Sequence, residues 1–210
     1  MAKWEVIQRK IPRQERAKAT LEAIVQAAAQ LLTDVGFEAL TTARVAERAG
    51  VSVGSLYQYF PNKQALAAAV VDHYAEKLSV AFVQAVAERA HGSLEETVGA
   101  MIEVAMAAHP HDPKLHRALN ELAPRYRAEK VREVGDRIAT IIKSQLARHR
   151  REIAPDLDLG DAAALIETLL ENVVHRAIER HPVSVAGERA MGQCRRMIMA
   201  YLTSVDRHAA

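Results

Sequence analysis

The sequence predicts an all-α protein of about nine helices. Alanine is abundant, whereas glycine and proline number only nine and seven among 210 residues, a composition that favours helix. Strand-like alternation of apolar and polar residues is absent. Half of the residues are hydrophobic, which is enough for a sizeable core in one or two compact units.

The first helix is predicted from about Arg13 to Val35. Its apolar residues recur every three to four positions, which is the spacing of a helix with one buried face. Gly36 closes this helix, because glycine tolerates the positive φ of a helix end. Phe37 and Leu40 are expected in the core of the same small unit.

The next segment predicts two short helices joined by a tight turn. Thr41 or Thr42 can cap the first helix, since a hydroxyl accepts a hydrogen bond from a free backbone N–H. Gly50 ends that helix, and Ser52 can cap the second, which spans about residues 53–59. This arrangement is typical of a helix-turn-helix, whose second helix enters the major groove of DNA.

The second short helix carries the candidate DNA-contacting side chains. Leu56 and Phe60 are predicted to point into the protein. The positions near the N-terminus or on the outward face are Val53, Gly54, Ser55, Gln58 and Tyr59. Gln58 can reach a base edge or a phosphate, and Tyr57, Tyr59 and Lys63 carry typical phosphate donors. The alternative, a unit that only packs inside a helical protein, is disfavoured by this aromatic cluster in a chain with 4% aromatic residues.

Six further helices are predicted after Pro61. Their bounds are about 62–90, 94–108, 114–122, a long helix from near Pro124 to about His149, 161–180 and 184–205. Ser93 and Glu96 are predicted to form a capping box at the start of the second of them.

Charge is unevenly distributed along the chain. Residues 1–65 hold nine Lys and Arg against six Asp and Glu, a net charge of +3, which leaves −1 for the rest of a chain whose total is +2. Six of the basic residues lie within residues 1–20. This basic arm either contacts DNA in a minor groove or along phosphates, or is a solvated terminus.

The sequence lacks the signals that are typical of several other classes of protein. No apolar run is long enough to cross a membrane, and no secretory signal is recognised. Cys194 is the single cysteine and is interpreted as a buried small hydrophobe, so a cytoplasmic protein is expected. Phosphate-cradling glycine loops, paired metal-binding histidines and nucleophile elbows are absent. We therefore expect no enzyme, no catalytic residue, no metal and no cofactor.

The helix-turn-helix segment resembles the tetracycline-repressor-like (TetR) family of bacterial transcription regulators. The resemblance covers about residues 13–70, and the rest of the chain is similar only in helical character and length. The matching residues are Thr41-Thr42, Val45-Ala46, Ala49-Gly50-Val51-Ser52, Gly54-Ser55-Leu56-Tyr57, Tyr59-Phe60, Asn62-Lys63 and Leu66. The resemblance implies a DNA-binding domain at residues 1–65 and an effector-binding and dimerisation domain at residues 66–210.

The resemblance also implies which residues face DNA. Thr42, Tyr57 and Lys63 occupy phosphate-contacting positions. The other DNA-facing positions, with the capping serine grouped among them, are Ala43, Ser52, Val53, Gly54, Ser55, Gln58 and Tyr59. Ala43 is apolar where some members carry a base-reading polar side chain, although alanine can still touch a thymine methyl. The expected partner is a palindromic operator in double-stranded DNA, bound by a twofold dimer.

The last two helices carry surplus apolar surface that predicts a homodimer. The predicted interface residues are Ile166, Leu170, Val174, Met191, Cys194, Ile198, Tyr201, Leu202 and Val205. The alternative is that both helices are ordinary core. The resemblance implies dimerisation through these two helices.

The resemblance implies a small effector, bound among the fourth to eighth helices, that releases a repressor from its operator. The candidate lining residues are Met101, Val104, Ala105, Leu119, Leu122, Tyr126, Leu169, Asn172, Val173 and His175. Asn172 and His175 lie one turn apart on an apolar helix, so their polar groups need a partner in the ligand or in the second subunit. The expected effector is mostly apolar with one or two polar handles.

Two alternative functions remain open at this point. His109, His111, Asp112 and His116 lie within eight residues and could bind a regulatory metal ion, although their spacing matches no metal-ligand motif. A helical interaction protein that does not bind DNA is the other alternative. Zinc-dependent DNA affinity would favour the first, and the absence of any DNA binding would favour the second.

Overall fold

The computed structural model describes residues 15–89, 92–108, 112–180 and 185–204, which form nine α-helices and no strand. The helices are α1 Glu15–Val35, α2 Thr42–Ala49, α3 Val53–Tyr59, α4 Lys63–Arg89, α5 Leu94–Ala108, α6 Pro113–Tyr126, α7 Ala128–Arg148, α8 Leu159–Arg180 and α9 Val185–Thr203. The predicted all-α class is confirmed. Within the described ranges, no helix combines the length and the apolar character needed to cross a membrane.

The capping box predicted at the start of α5 is confirmed. The Glu96 backbone N–H donates to the Ser93 hydroxyl (3.3 Å), and the Ser93 backbone N–H donates to Glu96 Oε2 (2.7 Å). These reciprocal bonds satisfy two N–H groups that the first turn of a helix leaves free. The bonds from the Ser93 backbone and hydroxyl to the carboxylate hold the pKa of Glu96 below its usual range.

The predicted helix bounds around Pro124 are wrong. The prediction placed Pro124 near the start of a long helix, whereas it lies inside α6, which continues to Tyr126. The Arg127 N–H still donates to the Ala123 carbonyl (2.8 Å), so the backbone stays wound through the last turn even though proline lacks a donor. The long helix α7 begins at Ala128.

The helices divide into two compact units. The first consists of residues 1–75 and 114–131, and the second of residues 76–113 and 132–210, each as far as the chain is described. α6 therefore packs with the first three helices, although α4 and α5 separate it from them in sequence. The predicted functional division between residues 65 and 66 follows the sequence alone, and it stays a prediction.

The core of the first unit is one apolar cluster. α1, α2, α3 and the first half of α4 bury their apolar faces in it, and α6 contributes Leu115 and Leu122. The rings of Phe37 and Tyr126 also lie in contact, with centroids 5.6 Å apart. Burying this apolar surface fixes the short α2 and α3, which are too short to be stable alone.

The second unit is built from the end of α4 with α5, α7, α8 and α9. α8 and α9 pack on each other, and α5 packs on both. Arg137 of α7 forms an ion pair with Glu76 of α4 (3.0 Å), and Thr97 of α5 shares a hydrogen bond with His149 (3.1 Å). Asp158 accepts hydrogen bonds from the first backbone N–H groups of α8, which lowers its pKa.

Candidate functional site

The turn between α2 and α3 has the geometry that its sequence predicts. The Thr41 hydroxyl accepts from the Arg44 backbone N–H (3.3 Å) and caps α2. Gly50 has φ +67°, in the left-handed region that other residues adopt only with strain. The Ser52 hydroxyl accepts from the Ser55 backbone N–H (3.0 Å) and caps α3. The two short helices are therefore held by local hydrogen bonds as well as by the core.

The inward face of α3 includes one residue that was predicted to face outward. Leu56 and Phe60 are completely buried, as predicted. Tyr59 is only 6% exposed and belongs to the same cluster, so its predicted place on the outward face is wrong. The reason is helical spacing: Tyr59 follows Leu56 by three residues, which puts both side chains on one face.

The outward face of α3 is formed by four residues. Val53 is 42% exposed and Tyr57 is 44% exposed, and Gly54 and Gln58 are also exposed. A Cβ atom at Gly54 would meet only the Ser52 hydroxyl, at 3.9 Å, so the backbone there is open to close approach. An exposed helix surface of this kind can enter the major groove of DNA.

The polar side chains on and beside this face differ in whether they already form hydrogen bonds within the protein. The hydroxyls of Tyr57 and Thr42 lie 3.1 Å apart, which joins α3 to α2. The hydroxyls of Ser52 and Ser55 lie 2.8 Å apart. Gln58 makes no hydrogen bond or ion pair within the described part of the chain. Gln58 is therefore the free hydrogen-bonding side chain on this surface.

Lys63, predicted to contact a phosphate, has a role inside the first unit that the sequence did not reveal. Its ammonium group donates to the carbonyls of Phe37 and Glu38 (both 3.3 Å). It also lies 4.6 Å from the centre of the Phe37 ring. Lys63 thus secures the connection between α1 and α2. A lysine carries three N–H donors, so a phosphate contact stays a prediction beside this role.

The predicted pocket residues fall in both compact units. Met101, Val104 and Ala105 are buried in the second unit. The residues that pack in the core of the first unit instead are Leu119, Leu122 and Tyr126. Leu169 and Val173 are half-buried on α8. No bound molecule tests this set, which stays a prediction.

The polar handle predicted at Asn172 of α8 does not point inward. Asn172 is exposed, and its amide donates to the Thr168 carbonyl on the same helix (2.8 Å). The side chain of His175 lies outside the described residues. The buried polar atoms that lack a partner in the described structure are instead on Ser79 and Gln145. Sequence reasoning missed both.

Most of the predicted dimer residues are core residues of the single chain. Those that are buried within it are Ile166, Leu170, Cys194, Ile198 and Leu202, so placing them on a surface open to a partner is wrong. Burial also raises the pKa of the Cys194 thiol, as expected for a small hydrophobe. Met191 and Tyr201 are half-buried. The side chain of Val174 and the whole of Val205 lie outside the described residues.

The structure describes only part of the histidine cluster that was considered as a metal site. His116 is buried, and its Nε2 lies 3.2 Å from the Asn120 side-chain nitrogen. His109 and His111 lie outside the described residues. Among the residues that are described, no group of three or more His, Cys, Asp or Glu side chains could hold a metal ion.

Comparison with known protein families agrees with the helix-turn-helix and with the helical second part. Residues 24–70 match the bacterial regulatory proteins of the tetR family. Residues 93–202 match the tetracyclin repressor-like C-terminal domain. The chain belongs to the tetR family. It is thus a member of a family of transcription regulators, and the family resemblance read from the sequence is confirmed.

Individual members of the tetR family show how far this likeness extends. The tetracycline repressor protein class C of Escherichia coli is 49% identical over 55 residues, which is 26% of this chain and 25% of that protein. This chain thus spans a quarter of that repressor. The regulator BetI of Rhizobium meliloti is 29% identical over 175 residues, or 81% of this chain and 84% of BetI.

A solved structure extends the likeness to most of the chain. The transcriptional regulator FadR from Bacillus subtilis, in complex with stearoyl-CoA, superposes with a TM-score of 0.69. The superposition covers 87% of this chain and 99% of FadR at 17% sequence identity. At this identity the likeness shows a shared fold alone.

Proposed function

We propose that this tetR-family protein is a cytoplasmic homodimeric repressor, released from a palindromic operator by a small, largely apolar effector. The DNA-binding part of this proposal is supported by the outward face of α3. Ser52 caps the N-terminus of this helix, and its backbone is open to close approach at Gly54. A rigid unit that presents a short, exposed helix is the usual means by which a helix-turn-helix protein reads the major groove.

The contacts with DNA are proposed from exposure and chemistry. Gln58 is suited to pair with an adenine edge, and the exposed Val53 to touch a thymine methyl. Tyr57 and Thr42, whose hydroxyls already lie together, are placed to donate to phosphates. Ala43 is exposed on α2 and offers another methyl contact. Residues 1–14 lie outside the described structure, so their part in DNA binding rests on charge alone.

Dimerisation is proposed through the exposed sides of α8 and α9. Leu165 is 51% exposed and Met197 is 59% exposed, the two largest exposed fractions among the large hydrophobic side chains of the described residues. Small or polar residues flank them on the same faces, among them Thr168 and Ala200. A twofold dimer of this kind would carry two copies of α3, one for each half-site of a palindromic operator.

The effector is proposed from the interior of the second unit and from relatives. FadR of Bacillus subtilis was solved with stearoyl-CoA, and a protein of Streptomyces griseus that is 40% identical over 60 residues is an A-factor receptor. These ligands belong to those proteins. For this chain they support a small-molecule effector, which acts by stabilising a form that no longer fits the operator.

Selection from a random duplex library tests the proposal, with the mass of the protein in solution measured alongside. The proposal predicts an enriched palindrome and a dimeric mass. Absence of enrichment at low salt, repeated after the protein has been unfolded, stripped of bound small molecules and refolded, would overturn it. An enriched sequence without twofold symmetry would retain DNA binding and reject the dimeric arrangement.

A further inference from the structure

The helix α3 carries no charged residue. Its seven residues, Val53–Tyr59, include no Asp, Glu, Lys or Arg. Arginine and lysine are the side chains that pair most often with a guanine edge, and Asp and Glu are those that accept from the amino group of cytosine. α3 therefore lacks the side chains that most often identify a G·C base pair.

The outward face of α3 instead presents an apolar side chain beside an amide. Val53, Gly54, Tyr57 and Gln58 are exposed, and their spacing along the helix places them on one side of it. Val53 is 42% exposed, so much of its side chain is free to contact another molecule. A partner of this face meets methyl groups and one amide rather than charges.

Most of the hydroxyl groups around this face already have neighbours within the protein. The Tyr57 hydroxyl lies 3.1 Å from that of Thr42, and the hydroxyls of Ser52 and Ser55 lie 2.8 Å apart. Gln58 has no such neighbour in the part of the chain that is described. Its amide matches the donor and acceptor of an adenine edge.

The two arginines of α2 are held by groups outside α3. The Arg44 guanidinium donates to the Ala39 carbonyl (3.3 Å) in the connection between α1 and α2. Arg48 forms an ion pair with Asp34 of α1. Neither of these contacts fixes a guanidinium group against α3. They connect α2 with α1 and with the turn that precedes α2.

Gly54 allows the backbone of α3 to come close to a base. A Cβ atom at this position would have the Ser52 hydroxyl, at 3.9 Å, as its nearest neighbour. Its backbone is helical, so neither packing within the protein nor turn geometry requires a glycine here. Glycine within a helix lowers its stability. The space that it leaves lets the short side chain of the adjacent Val53 reach a base edge.

We propose that α3 selects A·T base pairs, and that Val53 recognises the C5 methyl group itself, so that 5-methylcytosine is accepted in place of thymine. In the major groove that methyl group distinguishes thymine, and an apolar side chain contacts it without a hydrogen bond. Gln58 supplies the adenine contact at another base pair. This selectivity rests on the proposed function, because it names the base pairs that the DNA-binding face would choose.

Replacement of thymine by uracil tests the methyl contact, since the two bases differ only in the C5 methyl group. Each thymine of the selected operator is replaced in turn, and affinity is measured by fluorescence anisotropy at one salt concentration. At one position in each half-site, uracil should weaken binding of the wild-type protein about 3- to 5-fold, as the loss of one buried methyl group predicts. The loss should disappear in Val53→Ala.

Val80→Ala is the matched control for this measurement. Val80 is a valine of α4 with a similar exposed fraction, 44%, and it belongs to the second unit. The control should show the same loss with uracil as the wild-type protein. Uracil tolerated at every position, or a loss that survives in Val53→Ala, would overturn the methyl contact.

A methylated G·C base pair supplies an independent readout at the position that Val53 contacts. The thymine there is replaced by cytosine or by 5-methylcytosine, each paired with guanine. The wild-type protein should bind the methylated duplex about 3- to 5-fold more tightly than the unmethylated one, and Val53→Ala should bind both alike. Equal affinities in the wild-type protein would show that the methyl group is not recognised.

Gly54→Leu tests the close approach of α3. Thermal unfolding should give an unchanged or raised Tm, because leucine favours helix and a Cβ atom has room within the protein. The discrimination between thymine and uracil should nevertheless be lost, since the larger side chain holds the backbone away from the base. Full discrimination in this variant would overturn the close approach on which the Val53 contact depends.

Selection from the random duplex library separates this selectivity from the proposed function. An enriched palindrome that lacks thymine, or in which uracil is tolerated throughout, would remove the methyl readout and leave the regulator. Discrimination within an enriched sequence that lacks twofold symmetry would keep the readout and reject the dimeric operator. Absence of enrichment after stripping and refolding would overturn both, because α3 would then select no base pair.

Discussion

Gln58 is the residue on the outward face of α3 whose side chain is available for hydrogen bonding with DNA. Within the described residues its amide has no partner, whereas the Tyr57 hydroxyl is close to that of Thr42 and Tyr59 is buried. A glutamine amide can donate to and accept from one adenine edge at the same time. We therefore expect direct readout by this helix to depend on Gln58 rather than on the tyrosines.

Gln58→Ala should weaken binding to the selected operator by about 1–3 kcal/mol and leave binding to random duplex unchanged. The loss has this size because a bidentate base contact is removed. Fluorescence anisotropy at one fixed salt concentration measures both affinities. Gln26→Ala, on the exposed side of α1, serves as the control. Equal losses on both duplexes would reassign Gln58 to the phosphate backbone.

Lys63→Ala should have two effects, one from its contacts within the first unit and one from the phosphate contact that we predict for it. Loss of its bonds to the Phe37 and Glu38 carbonyls should lower the free energy of unfolding by about 1–2 kcal/mol. Loss of a phosphate contact should weaken binding to all sequences alike and flatten the salt dependence by about one unit of slope. Urea unfolding and a salt titration measure the two effects separately. A destabilised variant with an unchanged slope would leave Lys63 as a purely structural residue.

The exposure of individual residues in α3 was only partly predictable. Leu56 and Phe60 were recognised as inward by their spacing of four, and Ser52 as a cap by its hydroxyl. Tyr59 stands three residues after Leu56, so the same periodicity indicates that it is buried. Its polar hydroxyl favoured the surface, but the apolar ring outweighs the hydroxyl once core space is available.

At the scale of the helix, ends set by local chemistry were predictable and ends set by distant packing were not. α5 begins after Ser93 because its cap lies within four residues of sequence. The end of α6 depends on contacts that no sequence window contains, such as that of Tyr126 with Phe37. Such contacts keep Pro124 within a helix that its propensity alone would end.

Gly135 of α7 lies beside the carboxylate of Glu167 on α8. A Cβ atom at Gly135 would lie 2.9 Å from Glu167 Oε1, a contact that the flexible glutamate side chain can relieve by a small shift. Burial raises the pKa of Glu167, and the negative charges of Glu171 and then Asp136 raise it further. The folded protein therefore binds the Glu167 proton more tightly than the unfolded chain does.

Glu167→Gln should stabilise the protein near neutral pH, because the amide avoids placing a charge in this contact. The protonated carboxyl of the wild-type protein is favourable below the ordinary pKa of 4.5, and its contribution is lost as pH rises through the higher folded value. The gain in Tm should accordingly be present at pH 7 and disappear below that ordinary pKa. Thermal unfolding across this range measures it, with the exposed Glu121→Gln as control. A gain that does not change with pH would contradict the electrostatic origin.

At the scale of the whole molecule, the sequence predicts the family and its helices but not how they are distributed between the units. The helix-turn-helix was recognisable because its caps, glycine and aromatic residues lie within one short segment. α6 joins the first unit through Leu115 and Leu122, from which the sequence gives no local signal. The predicted pocket set mixed residues of both units for the same reason.

The predicted dimer surface shows a related limit of sequence reasoning. Periodicity identifies the apolar side of α8 and α9, and the structure uses that side for the core of the single chain. An interface needs apolar residues on the side of the helix that remains exposed. Such residues are isolated within a polar face and do not recur at helical spacing, so periodicity does not reveal them. Leu165 and Met197 are such residues, recognisable only once the core has been assigned.

Replacing both Leu165 and Met197 by arginine should prevent the dimer that we propose and leave a monomer of 23.1 kDa. Charges introduced at the centre of an apolar interface cannot be hydrated when the two copies meet. Operator affinity should fall about 100-fold or more, because the second half-site is no longer bound by a linked copy of α3. Light scattering measures the mass, and Val80→Arg, which replaces an exposed apolar residue of α4, is the matched control. A double variant that stays dimeric, or a control that also dissociates, would place the dimer contact elsewhere on the chain.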